Sequence, residues 1–442
     1  MGYTFNGGIH PYDGKDLSKD GLIIDLFPKG EMVYPLSQHI GAPAKAVVKK
    51  GDEVKRGQLI AEAGGFVSAN IYASVSGKVK GIEARRLAIG GMCESIIIEN
   101  DGNWESVEFS EATDYRCLAR EEIIELIKKA GVVGMGGAGF PTHVKLSPKD
   151  PEAIDYFIIN GAECEPYLTS DYRMMLERSE EIVEGIRIVL RLFKNARAII
   201  AIEDNKPDCI SLLREKVRNE EKIEVRALKT KYPQGSERQL IYAVTKRAIN
   251  SSMLPADAGC VVDNIDTVYA IYDAVKNNSP LMDRVVTVTG DAIAKPCNFR
   301  TPIGCSHREL IESAGDFTKK PEKIISGGPM MGFAMFDLDT PVVKTSSAIL
   351  CFSKDQVSEN QELETACINC GRCAAVCPSR LVPKKLMEYA KRDDREGFNR
   401  YYGLECMECG SCSYVCPAKK QLAQNIKTMR GLELARRREE KK

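Results

Sequence analysis

Eight cysteines between residues 367 and 416 fall into two copies of one spacing: Cys367-x2-Cys370-x2-Cys373-x3-Cys377-Pro378 and Cys406-x2-Cys409-x2-Cys412-x3-Cys416-Pro417. A backbone that brings three thiols so close together must curl around whatever they hold. In the bacterial ferredoxin run, three thiolates on a tight loop grip three irons of a cube, and in two-cluster proteins the fourth cysteine reaches across to the other cube. The spacing predicts two [4Fe–4S] clusters with crossed ligands. Cys367, Cys370, Cys373 and Cys416 are expected on the first; Cys406, Cys409, Cys412 and Cys377 on the second. Gly371 and Gly410 suit a tight turn around sulfur. Pro378 and Pro417 stop regular helix from continuing out of the ligand turn, and the fourth cysteine of each run is expected to open a helix. Structural zinc also uses C-x2-C pairs, but a four-ligand site has no need of the x2-x2-x3-Pro form twice. The stretch 381–401 between the runs is long enough for a helix, which points to a helical variant of the two-cluster fold.

The bulk composition narrows the class. At 442 residues the chain is too long for one core, so three or four domains are expected. Sixteen cysteines in a chain of this size point to metal rather than to a disulfide framework. Lys+Arg and Asp+Glu both number 62, so no overall field draws the chain to nucleic acid. No apolar run approaches the length of a membrane span, and residues 1–6 lack the blocks of a signal peptide. The expectation is a chain that does not cross a membrane and stays in the cytoplasm. Residues 427–442 alone are locally basic, with seven Lys/Arg against three Glu, and read as a solvated helix end before a docking tail.

Hydrophobic periodicity divides the chain further. Residues 28–100 read as short strands broken by glycine, at 45–50, 58–61, 77–82 and 95–99. This pattern resembles the barrel-sandwich (biotinyl/lipoyl-like) fold, whose members attach a cofactor to a lysine at a hairpin tip. The matching tip, Ser74 to Ser76, has no lysine at its centre, so a structural module is expected there. Residues 120–130 form an amphipathic helix stopped by Gly131. Apolar runs at 156–160 and 198–202 alternate with helical stretches at 177–193 and 239–249, implying an α/β domain with a mostly parallel sheet. Strand, helix and strand over 283–352 look like a β-grasp module, and 353–365 reads as a polar linker.

Two further segments carry chemistry. Gly134-Met135-Gly136-Gly137-Ala138-Gly139 is a literal G-x-G-x-x-G. A dinucleotide fingerprint should follow a strand and open a helix, whereas this one follows a helix, so the ordinary Rossmann reading fails. No Gly-Lys-Ser/Thr closes it, so a P-loop fails too. What remains is a backbone-rich loop that lets a phosphate or flat ring approach, with Lys145 as a nearby cation. Asn160-Gly161-Ala162-Glu163-Cys164-Glu165 follows the apolar run at 156–159, where α/β sheets place ligand sites. Later come 231–238, around Tyr232, Gly235 and Glu237, and 262–267, around Asp263 and Asn264.

These four segments, in this order, resemble the flavin-bearing, NADH-oxidising subunit of respiratory complex I. The chain is more similar still to the RnfC family of the Rnf electron-transport complex, which has two cluster runs where complex I has one. Residues Gly7-Gly8-Ile9-His10-Pro11 resemble that family's opening segment. The resemblance covers nearly the whole chain. It implies a multidomain α/β protein with four parts: a barrel-sandwich module at 1–110, a Rossmann-like FMN/NADH domain at 115–280, a β-grasp (SLBB-like) module at 283–352 and a helical two-[4Fe–4S] ferredoxin domain at 360–442. By position, the resemblance puts Gly134, Gly136 and Lys145 at FMN phosphate and ribityl, and Asn160 and Glu163 at the flavin ring. Phe140 matches an aromatic that stacks on the nicotinamide nucleotide, and Glu165 and Glu237 match acids beside NADH. Tyr232, Gly235, Asp263 and Asn264 complete the FMN cradle. Ala162 and Ser236 stand where the complex I protein has acids, so flavin contacts there must differ.

A flavin accepts a hydride pair and releases electrons singly to clusters, so no catalytic nucleophile is required. His10, His39, His143 and His307 are isolated and read as structural. The implied function is the NAD(H)-facing subunit of an ion-translocating ferredoxin:NAD oxidoreductase, peripheral on the cytoplasmic face of the membrane. Its partners would be the membrane and iron–sulfur subunits of that complex, with ferredoxin reached through one of them. Two rivals are a soluble cobalamin reductase with the same glycine loop and a flavin-free electron-relay adaptor. The first rival starts near the glycine loop and lacks the N-terminal block found here.

Overall fold

The computed structural model describes every residue of the chain except 1, 111, 113, 356, 358, 360–362, 441 and 442. The expected linker at 353–365 lies partly outside the described residues.

The N-terminal strands form two small sheets. One holds Glu31–Pro35, Met92–Asn100, Gly77–Arg86 and Glu53–Val54 in that order; the other holds Lys45–Ala46, Leu59–Glu62 and Ile71–Tyr72. Residues 77–82 and 95–99 lie in longer strands that pair through Gly77↔Asn100 to Arg86↔Met92. Alternation puts Met32, Tyr34, Ile96 and Ile98 inside, as the two-residue period of a strand requires. The hairpin tip is buried. Ser74 Oγ lies 2.8 Å from Tyr34 Oη and donates to the Ile303 carbonyl at 2.6 Å. That contact fastens the tip to the β-grasp module, the reverse of a swinging arm.

The β-grasp module carries a six-stranded sheet in the order Ile24–Asp25, Cys297–Pro302, Asp283–Thr289, Ala348–Phe352, Lys323–Ser326 and Phe333–Met335. Its edge strand comes from the N-terminal segment, which pairs in parallel through Ile24↔Phe299. The helix His307–Ser313 starts where the Ser306 hydroxyl accepts from Glu309 N, a standard N-cap. Tyr34, Ile60, Val288, Ile311 and Ile349 belong to one buried cluster, so this module and the N-terminal one share a core.

In the α/β domain, Ile223–Leu228, Arg197–Glu203, Tyr156–Gly161 and Cys260–Asn264 lie side by side, all parallel. Strands 156–161 and 197–203 are apolar on both faces because Ser179–Leu190 and Ile265–Lys276 cover one face of the sheet and Glu237–Thr245 covers the other. The helical stretch at 177–193 is the helix Ser179–Leu190, and a further helix, Ser170–Glu177, precedes it, the two meeting at Arg178 with φ −130°. At the end of the first of these helices the Glu177 carboxylate accepts from Ile23 N of the N-terminal segment and from Arg173.

The two cysteine runs fold alike. Gly371 (φ 75°) and Gly410 (φ 76°) are left-handed, and each opens a one-turn helix, Arg372–Ala375 or Ser411–Tyr414. Cys373 and Cys412 lie on these turns. Cys377 and Cys416 follow them and open no helix, contrary to expectation. Their carbonyls instead accept from Arg380 N and Lys419 N, closing turns at residues with positive φ. Longer helices begin later, at Pro383–Lys391 and Leu422–Glu439, and pack through Leu386, Phe398, Ile426 and Met429. On the last helix Arg436 and Arg437 both bind Glu433, whose carboxylate is held well down at about 2 by those guanidinium hydrogen bonds. The basic stretch is thus partly spent within its own helix.

Candidate flavin and cluster site

The glycine loop leaves the helix Arg120–Lys129 and returns to a one-turn helix, Thr142–Lys145. Gly134 N donates to the Phe140 carbonyl at 2.8 Å, and Met135 N donates to Thr267 Oγ1 at 2.9 Å. The second bond ties the loop to the first turn of the helix Ile265–Lys276, whose N-cap Asn264 Oδ1 accepts from Asp266 N at 2.8 Å. Gly136 has φ 78°, and a Cβ there would stand 3.1 Å from Asn264 Nδ2. The backbone therefore lies directly on Asn264, and only glycine allows that approach. Phe140 is half-buried at the end of the loop.

Asn160 and Asn264 are register partners at the carboxyl ends of adjacent parallel strands, where open α/β sheets bind ligands. Lys145 Nζ donates to the Val262 carbonyl at 2.7 Å and to Asp263 Oδ1 at 3.1 Å. Burial alone would lower the lysine, but Asp263 and Glu237 outweigh it and hold Lys145 above its ordinary value. Asp263 and Glu237 are both raised by burial, with Lys145 opposing.

The 160–165 and 232–237 loops are zipped together. Asn160 Nδ2 donates to the Gly235 carbonyl at 2.8 Å, and Gly235 N donates to Cys164 Sγ at 3.2 Å. Glu163 takes φ 45° and accepts from Asp171 N at 2.8 Å, while Lys15 Nζ approaches its other oxygen at 3.5 Å. Burial pushes the Glu165 carboxyl up to about 7. Its Oε2 accepts from Met330 N at 3.0 Å. Glu165 Oε1 and Tyr232 Oη lack hydrogen-bond partners of normal geometry, yet each group shifts the proton affinity of the other. Gln234 Oε1 and Nε2, Asp263 Oδ2 and Thr142 Oγ1 are also buried without partners among the described residues. Buried polar atoms are normally satisfied. Orphans gathered on these loops fit a polar flavin ring and ribityl chain, so the residues present suit FMN.

The cysteines sort into two groups. Cys377, Cys406, Cys409 and Cys412 line one cavity walled by Leu381, Leu386 and Ile426. Burial raises the Cys412 thiol, and Cys409, Cys406 and Cys377 raise it further. Burial likewise raises Cys373, and Cys416 and Cys367 add to it. Thus Cys377 faces the second run and Cys416 the first. Thiols arranged around a cavity suit a cube of iron and sulfide, whose positive irons would offset the repulsion among thiolates. The 363–372 stretch around the first group is exposed throughout, whereas Cys409 is buried.

Ile9, Tyr232 and Cys409 form one buried group with Cys164, Met330 and Val376 packed on it. The flavin loops therefore touch the second run directly. An N-terminal strap closes the seam: Gly8 N donates to the Val376 carbonyl at 2.8 Å, and Ile9 pairs with Tyr232. Lys15, Met330 and this strap were not found from sequence as parts of the site. Each acts across a long chain separation; only the strap carried a local signal, the Gly7-Gly8-Ile9-His10-Pro11 segment, and that signal gave no location. His307 and His39 are each held by backbone groups. His307 is buried against the Thr340 carbonyl and lowered to about 4 by burial. His39 accepts from Ala69 N at 3.1 Å.

Four family models match in chain order: an RnfC barrel-sandwich hybrid domain over residues 3–103, a Nuo51 FMN-binding domain over 127–273, an SLBB domain over 285–334 and a 4Fe-4S dicluster domain over 360–426. The chain is 47% identical over 430 residues to the C subunit of the proton-translocating ferredoxin:NAD(+) oxidoreductase complex of Clostridium ljungdahlii, covering 97% of this chain and 93% of that one. It is 43% identical over 394 residues to the Na(+)-translocating counterpart of Acetobacterium woodii, covering 88% of each. Among solved structures, an NAD+-reducing [NiFe]-hydrogenase in its air-oxidized state shares the fold at TM-score 0.51 and 18% identity, over 68% of this chain and 60% of that one. Its H2-reduced form matches at 0.51 and 17%, over 74% and 66%. With these domains the cofactors are FMN and two [4Fe–4S] clusters. The chain belongs to the RnfC family, the C subunits of ferredoxin:NAD(+) oxidoreductase complexes.

Proposed function

We propose that this chain is the NAD(H)-facing subunit of an ion-translocating ferredoxin:NAD oxidoreductase. Electrons pass between NAD(H), FMN, the second cluster and the exposed first cluster, in that spatial order. The observation that carries this reading is the packed group joining Tyr232 and Cys164 of the flavin loops to Cys409 of the second run. FMN, when bound, converts a hydride pair into single electrons. The protein's own part is to hold the ring and the nucleotide. Gly134, Gly136 and Lys145 would bind phosphate and ribityl; Asn160, Glu163, Tyr232, Gly235, Asp263 and Asn264 would fix the flavin. Phe140, Glu165 and Glu237 would face NADH. Cys367, Cys370, Cys373 and Cys416 would hold the first cluster, and Cys377, Cys406, Cys409 and Cys412 the second.

Among the described residues no helix is long and apolar enough to cross a membrane. Membrane subunits would therefore be separate chains, with this one peripheral on the cytoplasmic face and ferredoxin reached through an iron–sulfur partner. The shared core of the N-terminal and β-grasp modules supports this reading over a cobalamin reductase that lacks the N-terminal block. The orphaned polar atoms on the flavin loops speak against a flavin-free relay. The test is to titrate full-length protein with FMN and then NADH under anaerobic conditions. Flavin bleaching followed by the electron paramagnetic resonance of a reduced cluster is expected; failure to bind FMN or NADH would leave only a relay.

A further inference from the structure

The turn at residues 327–332 of the β-grasp module reads Gly-Gly-Pro-Met-Met-Gly and belongs to neither the flavin nor the cluster motifs. It nevertheless lies against both. On one side Met330 N donates to Glu165 Oε2 at 3.0 Å. The fit there is so close that a Cβ on Gly328 would stand 2.1 Å from the same oxygen. The turn is closed by Gly332 N donating to the Gly328 carbonyl at 2.8 Å. On the other side, a Cβ on Gly410 would meet Met330 Cε and the Met330 carbonyl oxygen, each at 3.5 Å. Gly410 is the left-handed residue between Cys409 and the helical turn that carries Cys412. Met330 also packs on the group formed by Ile9, Tyr232 and Cys409. Just beyond the turn, Lys427 Nζ of the last helix sits 5.1 Å from the Phe333 ring centroid, a second tie to the cluster domain.

A methionine suits such a seam, because its flexible thioether fills irregular gaps between surfaces that were not built from one core. The backbone and the side chain of this residue also face different ways. The N–H serves the acid on the flavin side, and the side chain and carbonyl serve the second cluster's loop.

We propose that Met330 is a positioning residue for electron transfer, setting how the flavin loops and the second cluster pack against one another. This rests on the electron-relay reading above. In the step concerned, one electron leaves the reduced flavin and one cube is reduced by one electron. No bond or proton crosses Met330.

The test uses full-length protein loaded with FMN and iron–sulfur clusters, and three variants. Met330→Ala keeps the backbone N–H and carbonyl and removes the side chain's approach to Gly410. Met330→Leu restores the bulk. Gly328→Ala drives a methyl group against Glu165. Flavin bleaching by NADH is followed by stopped flow, cluster reduction by freeze-quench resonance, and the second cluster's spectrum and midpoint potential after dithionite reduction, which needs no flavin. In Met330→Ala, bleaching is expected at the wild-type rate, and cluster reduction slower by about tenfold or more, the scale of a small misplacement. The second cluster's spectrum should shift while the first cluster's does not, and Met330→Leu should restore both readouts. Gly328→Ala should show the opposite pattern, with slowed bleaching and an unchanged dithionite spectrum. Wild-type kinetics and spectrum in Met330→Ala would overturn the proposal alone. Absence of bleaching in the wild type would overturn the relay reading and this proposal together. If Met330→Ala fails to assemble its second cluster while Met330→Leu assembles it normally and transfers electrons at the wild-type rate, the positioning role stands. If Met330→Leu also fails, the residue is structural and the proposal falls.

Discussion

Lys145 Nζ lies 3.1 Å from Asp263 Oδ1 and joins the one-turn helix behind the glycine loop to the end of an edge strand. The Asp263 side chain is wholly buried, and its Oδ2 has no partner among the described residues. One cation therefore stands between a loop built for phosphate and an acid that cannot reach water.

That arrangement sets the effect of Lys145→Met. Breaking a buried pair leaves the remaining charge uncompensated, a loss on the order of 3 kcal/mol. Asp263, already raised by burial, should then be protonated in the folded protein. The expected result is a lower denaturant midpoint together with weakened FMN binding, read by fluorescence titration. Lys145→Arg should recover much of the stability and less of the binding, because a planar fork is not a point charge. Unchanged FMN affinity in Lys145→Met would remove this lysine from the phosphate site.

Crossed ligation is tested by Cys377→Ala. Cys377 shares a cavity with Cys406, Cys409 and Cys412, while Cys416 interacts with Cys373. The variant should lose about half its iron and the second cluster's resonance signal, keeping the first. Loss of the first cluster instead would mean each run holds its own cube.

What sequence made legible follows the range of the signals. The cysteine runs, the parallel strands and the hairpin tip without lysine are local patterns, and periodicity or spacing carries them. The contact of Glu177 with Ile23 N, which ties the helix Ser170–Glu177 to the N-terminal segment, was not legible because its partner lies far along the chain. The same holds for the N-terminal edge strand pairing Ile24 with Phe299, and for Met330 against Glu165. In the cysteine runs the spacing told which thiols group together. It did not tell that Cys377 and Cys416 end a helical turn, because that depends on Arg380 and Lys419 adopting positive φ.

Glu165 should give the fold a pH dependence. Its carboxyl is raised by burial from 4.5 to about 7 in the folded chain. Between those values the folded state binds more protons than the unfolded, so stability falls as pH rises from 4.5 to about 7 and then levels off. Glu165→Gln removes this group's share of the slope, leaving that of Glu203, which burial raises over the same window, and should be more stable than wild type at pH 8 by roughly 3 kcal/mol, with little difference at the acid end. Difference infrared spectroscopy should show the variant lacking one component of the protonated-carboxyl absorption that wild type has near neutral pH, with the components of other raised carboxyls such as Glu203 remaining. Bound NADH should move that component if Glu165 faces the nucleotide.

Lys15 anchors the N-terminal segment to the flavin loops. Its ammonium is buried and donates to the Leu168 carbonyl, to the Glu165 carbonyl at 3.2 Å and towards Glu163 Oε2 at 3.5 Å. The carboxylate distance is long for a charge-assisted bond, which closes nearer about 2.8 Å. The two carbonyls should therefore carry most of its worth. Lys15→Met leaves both carbonyls without this donor and should cost about 3 kcal/mol. Glu163→Gln, which keeps an acceptor for Asp171 N, should cost clearly less. Because Lys15 fastens the N-terminal segment to the 163–168 loop, its loss should also speed proteolytic cutting of that segment and loosen FMN. Equal losses in the two variants, or a coupling in the double mutant as large as the whole Lys15→Met effect, would show that the ion pair dominates instead.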